Sequence, residues 1–353
     1  MGSWYVFQRH QSGKQEGHGC VSQQYAEPGR AKAAQQHGYR DCHSYKDVGC
    51  VSADKQRLEQ IDHDLAYSTA SEISIRIEKM YKKLLAGLVA GVFCVAGHAG
   101  MTHNHEHAMR AQLTRIAVGQ HRSAKNVARN HFRHPVETLM FFGIRPDMTV
   151  VEASPGGGGW YTEILAPFLR EKGTYYAGSY DPQSEREYYR RNAARYAEKL
   201  AEYPQHYDRV KVTVFAPPEQ TNAAPEGSAD LVLTFRNTHN WMGNDAAEAA
   251  YAGFYSMLKP GGVLGVVQHR AKPGTTIDPG KGYITEEKVV ALAQAAGFRL
   301  LESSEINANR KDNADHPEGV WTLPPAYRLK DVDREKYAAI GESDRMTLKF
   351  VRD

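Results

Sequence analysis

The sequence predicts an α/β protein, a doubly wound three-layer sandwich built on a mostly parallel seven-stranded sheet. Three observations predict it. Apolar runs of five to eight residues alternate with helical patterns; the first run ends in four consecutive glycines; and the last two runs have no long helix between them. Strands alternating with helices call for right-handed crossovers and parallel neighbours, with helices on both faces. The two final strands are expected to form an antiparallel hairpin at one edge.

The elements follow in order. A polar helical stretch spans Ala108 to Asn130, and Pro135 suits the first turn of a helix carrying Leu139 and Phe142 that Gly143 stops. "IRPDM" turns the chain into a strand, Thr149 to Ala153, whose unbroken apolar character fits burial on both faces. A helix from Tyr161 to Lys172 with Gly173 at its end comes next, followed by the strand Thr174 to Tyr180. The remaining pattern predicts a helix over Ser184 to Glu202, strands over Val210 to Phe215 and Ala229 to Arg236, and a helix over Ala246 to Leu258. It closes with a strand over Val263 to His269, a helix over Thr285 to Ala296, and strands over Leu300 to Ile306 and Met346 to Val351.

The composition fits one full buried core: 353 residues, 41% hydrophobic and 24% charged. The 44 basic and 41 acidic residues nearly balance, and no block of one sign forms a stripe for a phosphate backbone, so a nucleic-acid partner is not expected. Residues 1–79 are rich in Gln, Gly, His, Ser and Lys, and read as a mostly disordered leader. At Met80 the character changes. Lys82 and Lys83 precede "LLAGLVAGVFCVAGHAG", which has the charged, apolar and small-residue parts of a secretory signal, with a cleavage point after Ala99.

Two readings of 80–99 stand side by side: Met80 as the true start of an exported protein, or a short internal anchor. The apolar run is shorter than the roughly 20 residues a spanning helix needs, so no stable membrane span is expected. All four cysteines precede Ala99, which suits an extracytoplasmic chain without disulfides and equally a cytoplasmic one. Residues 100–130 form an N-terminal extension to a domain over 131–353. Within that extension, His103, His105 and His107 alternate on a flexible tail; a solvated terminus is favoured over a metal site, because nothing nearby supplies a rigid set of supporting groups.

In a doubly wound sheet, ligands bind beyond the carboxyl ends of the strands. The first such end is "VVEASPGGGGWY", where Ser154 opens a tight turn and Gly156 to Gly159 let a ligand approach the backbone at a helix start. The second strand closes on Asp181 in "SYDP", about two dozen residues on, where an acid can accept both hydroxyls of a ribose or simply form a turn.

Together with "ADLVLTFRNTHNW" and "LKPGGVLGVV", these stretches resemble class I methyltransferases that use S-adenosylmethionine, and more narrowly a bacterial family of predicted methyltransferases. The resemblance covers His131 to the C-terminus. It implies S-adenosylmethionine as cofactor, with Glu152 ordering the loop around the methionine amine, Gly156, Gly157 and Gly158 with Ser154 forming the cofactor loop, and Asp181 holding the ribose. Three departures stand out. Ser154 replaces the usual first glycine; the third strand ends in "FAPPEQ" without an acid at its tip; and no Asn/Asp-Pro-Pro-aromatic sequence follows the fourth strand, so methylation of nucleic-acid bases is not supported. Nicotinamide chemistry on the same fold is a poor match, since Trp160 and Tyr161 crowd the place a pyrophosphate would take.

Methyl transfer needs alignment and exclusion of water more than a base. His239 at the end of the fourth strand is the candidate base, with Asn240 and Trp241 orienting the acceptor, and His269 at the end of the fifth strand faces the same side. The competing reading is that the asparagines build the turn and Trp241 packs beneath the next helix. A branched side chain at Gly158 is expected to enter cofactor space and strain the turn. The acceptor is expected to be a small molecule or an exported macromolecule; the alternative function is a non-catalytic extracytoplasmic binding protein on the same fold. The long polar segment before the last strand, with Trp321, Pro324, Pro325 and Tyr327, reads as a cover over substrate or as packing on the sheet edge.

Overall fold

The computed structural model describes residues 72, 74–83 and 105–353. The chain divides between Met80 and Tyr81. In the first part, 72 and 74–80 are helical and exposed, as are 81–83 in the second. The remainder of 1–79, the part of the expected export signal from 84 onward and His103 lie outside the described residues.

The expected polar helix over Ala108 to Asn130 is broken into pieces: α1 (105–117), α2 (Ala124–Val127) and α3 (Asn130–Arg133). His105 and His107 stand in the first turn of α1, two residues apart and so on different faces, which does not favour a shared ion. Among the described residues no group of His, Cys, Asp or Glu is arranged to hold a metal.

The break after α1 has a physical cause in α5 (Thr162–Leu169), reached after α4 (Pro135–Phe141) and β1 (Thr149–Ala153). Pro167 lies inside α5 and has no N–H for the carbonyl of Glu163, four residues earlier. The His121 ring takes that carbonyl instead, at 2.8 Å from Nε2. Beside it the buried Glu163 carboxylate accepts from Arg122 Nε at 2.9 Å and Asn126 Nδ2 at 2.9 Å, and meets Lys199 Nζ at 2.8 Å. The 118–126 connection folds inward to serve one helix.

The other elements are β2 (Thr174–Ser179), α6 (Glu187–Glu202), α7 (Pro204–Tyr207), β3 (Lys211–Val214), β4 (Ala229–Phe235), α8 (Thr238–Met242), α9 (Ala247–Met257), β5 (Leu258–His269), α10 (Glu286–Ala295), β6 (Phe298–Ser304), α11 (Arg334–Ile340) and β7 (Arg345–Arg352). The seven strands lie in the order β3-β2-β1-β4-β5-β7-β6. The first five are parallel; β7 runs antiparallel to both β5 and β6. The two final strands therefore pair as expected, with β7 inserted between β5 and β6. Period-two alternation splits β1 between two cores: Val151 and Ala153 join Phe254, Tyr251 and Leu292 on one face, while Val150 joins Ile164, Phe168 and Phe142 on the other. This is a Rossmann-like, doubly wound arrangement with one antiparallel strand.

Two expectations are corrected. "LKPGG" is the bulged beginning of β5 rather than a turn before it: Leu258 already pairs with Ala229, the register slips before Leu231–Val263, and Gly261 at φ +77° absorbs the slip. The polar segment before β7 is not one long loop: it carries α11 and a short 3₁₀ turn at Gly319–Thr322, and Asp312 within it accepts from Tyr283 Oη at 2.8 Å and from the Asp344 N–H at 2.7 Å.

Truncating Glu163 to Ala would leave Arg122, whose side chain is fully buried, without its counter-charge. The expected loss is about 3–5 kcal/mol in a urea unfolding titration; a loss below about 1 kcal/mol would show that this cluster does not hold the 118–126 connection.

Candidate functional site

The carboxyl ends of β1 to β4 open into a cavity of about 740 Å³, well within the usual size for small-molecule sites. Ser154 borders it from β1, Tyr180 and Asp181 from β2, residues Phe215 to Gln220 from the chain after β3, and Trp241, Asn244 and Asp245 from the chain after β4. Arg186 and Tyr189 close it at the start of α6.

Ser154 makes the turn in the place of the usual glycine by adopting the left-handed conformation itself, φ +56°. Such a residue persists only where its surroundings hold it, and here they do. Its N–H donates to Gly178 O at 2.9 Å, and the Asn237 amide donates to the carbonyls of Ala153 at 3.2 Å and Ser154 at 3.1 Å. Asn237 thus ties the end of β4 to the first turn of the glycine loop.

The glycines have separate roles. Gly157 is needed for packing: a Cβ there would lie 2.8 Å from Asn192 Oδ1 and 3.1 Å from Arg195 Cβ, both on α6. Gly156 takes φ +70°. Gly158 has no positive φ, and its Cβ would meet open space, so the strain expected of a branched side chain there is absent. Neither Gly156, Gly157 nor Gly158 borders the cavity as it stands.

Glu152 points away from the cavity, on the same face as Val150. Its Oε2 accepts from Tyr175 Oη at 2.6 Å and from Thr162 Oγ1 at 3.3 Å, and Thr162 Oγ1 lies 3.0 Å from Tyr196 Oη. It meets the glycine loop only through the first residue of α5. Burial pushes its carboxyl up to about 7, against the pull of both hydrogen bonds.

Asp181 serves two purposes. Oδ1 accepts from the Gln183 N–H at 2.8 Å, the turn-forming use of an aspartate beside proline, and Oδ2 has no bond to the protein among the described residues. Around it stand aromatic walls: Tyr180 stacks on Tyr189 with centroids 4.9 Å apart, and Phe215 meets Trp241 edge-on at 5.8 Å. Trp241 also packs on Phe254 of α9 at 5.5 Å, so it belongs to the core and the cavity at once. Arg186 reaches across the mouth to Asn244 Oδ1 at 3.2 Å. None of Arg186, Tyr189 and Asn244 was a candidate from sequence. The signal was the aromatic pair in "EREYYRR", a few residues after Asp181 and in the first turn of α6.

The structure does not bring His239, Asn240 or His269 to the cavity wall. His239 is 5% exposed and its Nδ1 lies 3.2 Å from Gln268 Nε2. Its ring packs against His269 and Trp321, with centroids at 5.6 and 5.7 Å. Burial pulls it down to about 4, which makes it a weak base at neutral pH. Burial first, then His239 and Arg236, lower His269 as well, and its Nδ1 meets Ser343 Oγ at 2.5 Å. Asn240 is exposed, and its carbonyl accepts from Asn244 Nδ2 at 2.7 Å, which is turn-building.

No protein-family model and no curated protein matches the chain. Among solved structures, a SAM-dependent methyltransferase from Aquifex aeolicus is similar at 17% identity over 64% of this chain and 93% of its own, with a TM-score of 0.44. A putative sarcosine dimethylglycine methyltransferase from Galdieria sulphuraria aligns at 12% identity over 65% and 87%, TM-score 0.44. Geranyl diphosphate methyltransferase in complex with SAM aligns at 12% identity over 65% and 90%, TM-score 0.42. At these identities the reading of the site rests on this chain's own residues.

Glu152 gives a pH signature. Its carboxyl titrates near 4.5 when free and at about 7 in the fold. Below pH 4.5 both states are protonated and the stability of the neutral buried acid is fully present. As pH rises from 4.5 to 7 the unfolded chain ionises first, so stability falls. Glu152→Gln is expected to remove about 3 kcal/mol of that fall from a series of urea titrations across the window, at about 1.4 kcal/mol per pK unit. Parallel curves for the two proteins would contradict a neutral Glu152.

Proposed function

We propose that the protein binds S-adenosylmethionine in the β1–β4 crevice and transfers its methyl group to an acceptor. The observation that carries this reading is the cavity itself. It lies at the carboxyl ends of the parallel strands, at the reversal of strand order, with the unengaged Oδ2 of Asp181 on one side and the rings of Tyr189, Phe215 and Trp241 around it. A carboxylate oxygen suits ribose hydroxyls, and the aromatic walls suit an adenine face and a sulfonium cation. The glycine loop, the left-handed Ser154 and the Asn237 cross-link bring carbonyl oxygens near the place where the cationic end would lie. Displacement at a sulfonium methyl asks the protein to align the nucleophile and exclude water, so the weak basicity of His239 and His269 is compatible with it.

The acceptor in this reading is a small molecule or an exported macromolecule, and 80–99 directs the chain out of the cytoplasm. Among the described residues no helix is long and apolar enough to cross a membrane. Export would separate the protein from cytoplasmic cofactor, which is what favours the second reading, a non-catalytic binding protein that uses the same crevice for another nucleoside-like ligand.

Calorimetric titration of the full chain with S-adenosylhomocysteine separates the two. Micromolar binding weakened at least tenfold by Asp181→Ala, about the value of a charge-assisted hydrogen bond, supports the first reading. Absence of binding heat from a cooperatively folded sample rejects it.

A further inference from the structure

The walls of the crevice carry an unbalanced charge. Among the described residues that border it stand four carboxylates, Asp181, Glu185, Glu219 and Asp245, against one cation, Arg186. The acids come from the connections after β2, β3 and β4, so the excess belongs to the crevice and not to the face of one helix. It also runs against the sign of the whole chain, which is formally +3. Glu185, Glu219 and Asp245 are exposed at the mouth, and none of these three carboxylates makes a hydrogen bond or ion pair among the described residues. Arg186 is turned to the aromatic wall instead. Its guanidinium lies 4.5 Å from the Tyr189 ring centroid, and Nη1 donates to Tyr189 Oη at 2.9 Å and Asn244 Oδ1 at 3.2 Å. The wall thus already seats a cation on a ring face, one that belongs to the chain itself.

A cleft lined by one sign of charge between low-dielectric walls focuses field lines and concentrates counter-ions, and a cation against an aromatic face gains from the ring quadrupole. S-adenosylmethionine does not use all of this. Its sulfonium and ammonium against one carboxylate make it a monocation, whereas four carboxylates against one guanidinium leave an excess of three negative charges. We propose that the methyl acceptor is a small organic amine, drawn in as its ammonium by Glu185, Glu219 and Asp245 and seated against the aromatic wall. This rests on the methyl-transfer reading and narrows its acceptor. The ammonium first gives a proton to water. The nitrogen lone pair of the neutral amine then forms the new N–C bond while the C–S bond breaks and its electron pair passes to sulfur. The products are a methylated ammonium and a neutral thioether. The same charges disfavour acceptors that carry a carboxylate or phosphate.

Three probes that share one ring and differ in charge test it: benzylamine, benzyl alcohol and benzoate. Each is titrated into the full chain by ligand-observed NMR, with and without saturating S-adenosylhomocysteine, which lacks the sulfonium charge. Benzylamine is expected to bind roughly tenfold tighter than benzyl alcohol at low salt, the sum of a few screened carboxylates and one ring face, and benzoate more weakly than the alcohol. At about 0.5 M salt the advantage of the amine is expected to shrink below about threefold, because exposed charges are screened. Glu185→Gln, Glu219→Gln and Asp245→Asn combined remove the charges at exposed positions, and Asn tolerates the positive φ of Asp245. This variant is expected to lose the preference for the amine while its affinities for benzyl alcohol and S-adenosylhomocysteine stay within about twofold of wild type.

Failure of benzylamine to bind, equal affinities for the three probes, or a preference for benzoate overturns the proposal. So does a triple variant that keeps the preference, since the carboxylates would then not be its source. If S-adenosylhomocysteine binds and the probe series is flat, methyl transfer stands and the amine falls. If the amine is preferred but S-adenosylhomocysteine does not bind, the methyl-transfer reading falls and takes the acceptor assignment with it.

Discussion

The site depends on one cross-strand tie, the Asn237 amide donating to the carbonyls of Ala153 and Ser154. Parallel strands give register through their ladder, and β1 and β4 are paired from Val150–Leu231 to Ala153–Thr234. Beyond the last pair nothing in a ladder dictates where the chain goes. The asparagine extends the pairing by one step and holds Ser154 in a left-handed turn that a serine does not adopt unaided. From that turn follow the path of the glycines, the start of α5 and the position of Ser154 at the edge of the cavity.

Two buried polar systems back this arrangement from the side away from the crevice. Glu152, Thr162, Tyr175 and Tyr196 link β1, α5, β2 and α6 in one hydrogen-bonded set. Glu163 gathers Arg122, Asn126 and Lys199 and draws the chain after α1 against α5. Such networks rigidify when every member is partnered; in the second set Arg122 Nη2 is buried with no hydrogen-bond partner among the described residues, so the first set is the one that stiffens the site from behind.

The sheet was legible because hydrophobic periodicity reports burial, and all seven strands stand within a few residues of the predicted ranges. What escaped were features decided by tertiary contact. The helix expected over Ala108 to Asn130 breaks because Pro167, some forty residues later, leaves a carbonyl for His121 to satisfy. "LKPGG" has turn chemistry, yet its pairing with Ala229 draws it into β5 as a bulge. In the site, Ser154 and Asp181 border the cavity because strand ends can be found from sequence. His239 and His269 were chosen for their titration range, which burial then shifted; no local pattern announces that Gln268, Trp321 and Ser343 surround them.

The most direct measurement is a crystal structure of the full chain grown with S-adenosylhomocysteine. The account predicts the adenosine between Tyr189, Phe215 and Trp241, with a ribose hydroxyl within hydrogen-bond distance of Asp181 Oδ2 and the thioether end toward Ser154. A crevice left empty at saturating ligand, or the ligand bound elsewhere, would contradict it and leave only the fold.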